Sequence, residues 1–167
     1  SDGSRCDAAD MDSNPRGDSS LWNPSESEGD TWARVLAHRR RDGPATVASV
    51  IERFEAAGVS PDQVAFHLED GGDRLYAAAA AGTEGWAAPF GGERAVALLA
   101  AEVSALMSHL VARAASVRSV CVEALLDEFS AVTVAGALGV ARQKVYELAR
   151  ASVDSDYLTT TPWRNHE

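Results

Sequence analysis

The chain has 167 residues, with 25 acids against 15 bases and a net charge of −10. That length holds one domain or at most two small ones. The charge excludes a globally basic nucleic-acid binder but leaves room for a local basic surface. Apolar residues make up 46% of the chain, enough for a core, and its two cysteines, Cys6 and Cys121, are too few for a disulfide scaffold or a zinc site. Fourteen of the bases are arginine and one is lysine, Lys144.

Residues 1–30 carry eight acids and two arginines, a charge of −6, and almost no large aliphatic side chain beyond Met11 and Leu21. Such a stretch cannot bury enough apolar surface to offset its ordering entropy, so it is predicted to be a disordered acidic tail. No apolar run resembling a secretory leader opens it, which points to the cytoplasm.

Residues 31–129 are predicted to form a helical scaffold. Thr31 can cap a helix over residues 32–41, stopped by Asp42, Gly43 and Pro44. Its end carries the cluster His38, Arg39, Arg40, Arg41, expected to face water and complement the helix dipole or to touch phosphate. Val47, Val50, Ile51 and Phe54 share one helix face, and Gly58 ends that helix. Ser60, Pro61, Asp62 and Gln63 make a capping-box start, with Val64 and Leu68 as the inward pair. Residues 71–92 leave two options open, helix from the alanines or a short strand over 74–79.

Residues 93–129 hold the longest helical pattern. Val96, Leu99, Val103, Leu106 and Leu110 follow 3-4 spacing, resumed by Val117 and Val120, which predicts a heptad seam. Leu98, Met107 and Val111 are apolar off that seam. The seam packs either inside a single-chain bundle or against a second copy in a homodimer. A further helix is expected over 119–129. The apolar run 95–112 is long enough for a bilayer, but Glu102 in its middle and His109 near its end make a buried helix in water the expectation, with no membrane contact.

Residues 131–150 read AVTVAGALGVARQKVYELAR. Ser130 can cap a first helix. Ala135 is the small residue that a close helix crossing requires. Gly139, four positions on, tolerates a left-handed backbone. Val134, Leu138, Val140, Val145 and Leu148 supply five apolar wedges. This stretch resembles the helix-turn-helix of phage-repressor, resolvase and transcription-regulator DNA-binding proteins, over about one eighth of the chain. The resemblance implies sequence-specific binding of double-stranded DNA by a head over 130–151, its second helix entering the major groove.

With Val145 and Leu148 inward, Gln143, Tyr146, Glu147 and Arg150 point outward, flanked by Arg142 and Lys144. Arg142, Gln143 and Tyr146 are expected to contact bases, Lys144 and Arg150 to contact phosphate. Residues 130–150 carry three bases and one acid, a local +2.

No catalytic constellation is found. His67, His109 and His166 lack metal-ligand spacing. The adjacent acids Glu69-Asp70 and Asp127-Glu128 face different ways on a helix. The glycine pairs lack phosphate-loop lysines. No cofactor or metal is implied. Residues 152–167 are expected to be a frayed tail. The expectation is an all-α bundle with a C-terminal helix-turn-helix flanked by disordered tails, acting as a transcriptional regulator or recombination accessory factor. The alternative is a helical adaptor whose hairpin is structural or holds a protein partner.

Overall fold

The computed structural model describes residues 28–150, and all regular structure among them is helical. The tails predicted over most of 1–30 and over 152–167 lie outside the described residues. The exception is residues 28–30, which open the first helix, α1 (Glu28–Val35). Thr31 therefore stands inside α1 rather than capping it. Asp30 sits in its first turn, where the helix dipole favours acids.

The helix expected over 32–41 is broken. After Val35 the chain tightens into a 3-10 turn, Ala37–Asp42. The tighter winding turns His38 inward, to 6% exposure, where an α-helix end facing water was expected.

Gly43 and Pro44 then start α2 (Pro44–Ala56), which buries Val50 and Phe54 and half-buries Val47 and Ile51. Helix α3 (Pro61–Glu69) has the predicted capping box. Ser60 Oγ accepts from Gln63 N at 3.3 Å, and Gln63 Oε1 accepts from Ser60 N at 2.9 Å. Val64 and Leu68 are its buried pair. The open segment after it resolves as helix α4 (Asp73–Ala81), because Asp70 caps it from both carboxylate oxygens, accepting from Gly72 N at 2.8 Å and Arg74 N at 3.2 Å. A loop containing a second 3-10 turn, Ala88–Phe90, leads to α5.

Helix α5 (Glu93–Glu128) is 36 residues long, about 54 Å, and absorbs the separate helix expected over 119–129. Its buried line is Ala95, Leu99, Glu102, Leu106 and His109, then Ser116, Ser119 and Val122. The predicted seam is thus rotated. Leu99 and Leu106 are buried, Val96, Val103 and Leu110 only half-buried, and Val117 and Val120 exposed.

Two cores share this helix. The first joins Trp32, Val35 and Leu36 to Phe54, Val64, Leu68 and Leu75, closed by Leu99 and Leu106, with the Trp32 and Phe54 rings stacked at 5.8 Å. The second joins Val122 to α6 (Ala131–Leu138) and α7 (Arg142–Ala149). The head core therefore reaches into α5, ahead of the boundary expected at 130. By length and composition α5 could cross a membrane, and one third of its most apolar window is buried in the molecule.

His67 and His109, like His38, are buried beside these cores. His67 packs edge-on to Phe66 and Phe90, and burial pushes its pKa down, with Arg74 adding to the effect and Asp70 opposing it. Burial also pushes His109 down, helped by the charges of His38, Arg113 and Arg41. A histidine held neutral stabilises the fold above its unfolded value and loses that contribution as pH falls through it. The thermal midpoint should therefore drop between about pH 7.5 and about pH 5.5. Replacing both histidines by glutamine should flatten that drop, as measured by melting curves across the range.

Candidate nucleic-acid interface

The C-terminal head is built on local chemistry legible residue by residue. Ser130 Oγ accepts from Thr133 N at 3.2 Å and holds Thr133 Oγ1 at 2.9 Å, fixing the start of α6. Gly139 ends α6 with φ +64°, and Val140 N closes back on Ala135 O at 3.1 Å. Two residues later α7 begins, its first bonds accepted by Ala141 O. Ala135, the small residue expected at the crossing, is 7% exposed and shares a core with Val145 and Leu148.

Val134, Ala135, Val145 and Leu148 are buried with Val122, and Val140 is half-buried beside Leu125 and Leu126. One expected wedge is displaced. Leu138 is 40% exposed, because it lies about 40° further around α6 than Val134, off the face that packs on α5. Leu125 and Leu126 of α5 occupy the rim of the core. Ser119 Oγ of α5 donates to Ala149 O at 3.3 Å, tying the last turn of α7 to the long helix.

With Val145 and Leu148 turned in, Gln143, Tyr146, Glu147 and Arg150 are exposed on the opposite side of α7, and Arg142 is exposed on its flank. Arg142, Gln143 and Tyr146 lie in its first turns and make no side-chain hydrogen bond to another described residue. Lys144 is not idle: its Nζ meets Glu147 Oε2 at 3.0 Å, both side chains about half exposed. An exposed pair of this kind contributes only about 0–1 kcal/mol, so Lys144 can exchange Glu147 for a stronger anion at little cost.

A second polar feature was missed in the sequence. Glu102 is 2% exposed, in the middle of α5. His38 Nε2 lies 2.6 Å from its Oε1, and Arg39 grips both oxygens, Nε to Oε1 at 2.7 Å and Nη2 to Oε2 at 2.9 Å. Arg39 also holds Asp42 at 2.8 Å. Burial would push the Glu102 carboxyl up, but hydrogen bonds from His38 and Arg39, and their charges, outweigh it and hold the group below its ordinary value. The signal for this site was present: an acid inside an apolar run needs a cation, and the cluster at 38–41 is the densest in the chain. Beside it lies a cavity of about 280 Å³ lined by His38, Arg39, Arg41, Asp42, Ser108 and His109.

Among the described residues no group of three or more His, Cys, Asp or Glu side chains is arranged to hold a metal ion. No protein-family model matches the chain, and neither a curated protein nor a solved structure matches it.

Proposed function

We propose that this protein is a non-catalytic, sequence-specific binder of double-stranded DNA, with α6 and α7 as a helix-turn-helix and α7 lying in the major groove. It would serve as a transcriptional regulator or as an accessory factor in recombination. The observation that carries the reading is the division of α7. Val145 and Leu148 anchor it, while arginine, glutamine and tyrosine side chains stand exposed in its first turns, the part that reaches base edges when such a helix enters a groove. Gln143 suits adenine, Arg142 suits guanine, and Tyr146 can pack on a thymine methyl or reach phosphate. Lys144 and Arg150 supply phosphate contacts from the flank and the far end.

A location in water is supported by the same helix that could span a bilayer, because inserting α5 would strip Glu102 of His38 and Arg39. The adaptor reading has one observation in its favour: Val132 is 65% and Phe129 48% exposed beside α6, an apolar surface that a protein partner could cover.

Salt dependence separates the two. Binding of a duplex by the full chain should weaken as salt rises, and Lys144→Ala should weaken all duplexes alike while flattening the log–log slope by about one unit. Affinity that ignores salt, or a slope unchanged by the substitution, would favour the adaptor.

A further inference from the structure

The rotation of the buried line on α5 leaves a second apolar line uncovered. Ala100, Met107, Ala114 and Cys121 recur every seven residues, and Val96, Val103, Leu110, Val117 and Ala124 recur every seven between them. The result is an unbroken 4-3 alternation from residue 96 to residue 124, the spacing of a coiled-coil seam with the first set at a and the second at d. None of the nine is buried. Met107 is 39% and Val117 48% exposed, and the neighbouring Val111 and Val120 are 70% and 43% exposed. No charged residue falls at any of the nine positions.

Val96, Val103 and Leu110 border the first core and are half-buried against it, while nothing described in the chain buries Ala100, Met107, Ala114, Val117, Cys121 or Ala124. The line runs about 42 Å, whereas the next longest described helix has 13 residues, about 20 Å. Residues 151–167 would span about 26 Å even as a helix, and residues 1–27 have almost no aliphatic side chain to offer. The element of matching length and matching period is α5 itself. A contact about 42 Å long and about 10 Å wide removes roughly 400 Å² of projected surface from each copy. At the amino end the line deepens into an apolar groove of about 280 Å³ whose other wall is Leu75, Tyr76 and Ala79 of α4. Two copies thus cover about 800 Å² along the seam, and side-chain relief and this wall add to it, toward the ~1,000 Å² expected of a specific interface.

Charge selects the orientation. In a parallel pair each g side chain meets the next e side chain of the second copy, which sets Arg113 against Arg118 on both sides of the two-fold axis. An antiparallel pair separates them. It also brings the acidic carboxyl end of α5, with Glu123, Asp127 and Glu128, toward the second copy's amino end, where the helix dipole is positive and Arg94 stands next to Glu93.

We propose that two copies of this chain pair through α5, antiparallel along the 96–124 line, with the carboxyl half of each α5 seated toward the α4 groove of the other. The pairing is independent of DNA and is tested without it. The full chain should sediment as a dimer at micromolar concentration. Met107→Glu with Val117→Glu should weaken the dimer at least 100-fold with helix content unchanged, since both side chains are already exposed. Val132→Glu with Leu138→Glu, an equal charge change at two exposed positions off the line, should leave the dimer intact.

In a Cys6→Ser background, oxidation should not link Cys121 to Cys121. Adding either Val96→Cys or Val103→Cys should give an interchain disulfide to Cys121, identified by peptide mass. A monomeric parent, a dimer that survives both glutamates, a Cys121–Cys121 link, or no link from either added cysteine would overturn the proposal.

Discussion

Glu102→Ala should lower the stability of the fold by about 3–5 kcal/mol, because it strips the buried His38 of its carboxylate partner and leaves the half-buried Arg39 with only the more exposed Asp42. For a domain of this size that is a fall of roughly 10–15 °C in the melting midpoint. Glu102→Gln keeps the shape and one acceptor oxygen, so its cost should be smaller, about 1–3 kcal/mol. Replacing Glu102, His38 and Arg39 together by apolar residues of similar volume should recover most of the loss, since the ion pair then no longer has to be desolvated.

The carboxyl is held below its ordinary value, so its contribution is complete above about pH 4.5 and disappears as pH falls through the lower folded value. Chemical denaturation of the three variants near neutral pH and in acid measures all of this. Equal midpoints for parent and Glu102→Ala would show that the buried pair does not stabilise the fold.

What could be read from the sequence depended on whether a residue acts on its neighbours along the chain or across space. The capping box at Ser60, the cap at Ser130, the left-handed turn at Gly139 and the inward pair Val145 and Leu148 are local, and each stands where the residue pattern places it. Helix α5 defeated the same method because it is apolar on two faces. The predicted seam averaged them, taking Leu99 and Leu106 from the face that packs inside the chain and Val96, Val103 and Leu110 from the border of the uncovered one.

Periodicity counts apolar positions but cannot say which of two lines a body of short helices will cover. The broken helix at 36–42 has the same origin. Local propensity favours a continuous helix there, and the long-range demand of Glu102 for His38 and Arg39 prevails over it. Leu138 was misplaced because a short helix carries only two turns, and the core beneath it is completed by α5 rather than by its own last residue.

The proposed DNA-reading face of α7 carries the second large effect. Arg142→Ala and Gln143→Ala should each cost about 1–3 kcal/mol on a preferred site and relax the preference at one base pair; together they should lower affinity by about 10²–10⁴-fold. Their side chains are exposed, so helix content should not change. Gly139→Val is the contrasting case. Space around the glycine is open, but its φ of +64° is hostile to a β-branched residue, so binding to every duplex should fall together with local helix signal.

DNA reading by α7 is tested by selecting a random duplex library with the full chain at low salt, then measuring binding of the selected site to the Arg142→Ala/Gln143→Ala variant. A DNA-reading α7 gives a defined enriched site and a folded double variant that no longer distinguishes that site from bulk DNA. No enrichment, or a folded double variant that binds the selected site as tightly as the parent, would contradict it.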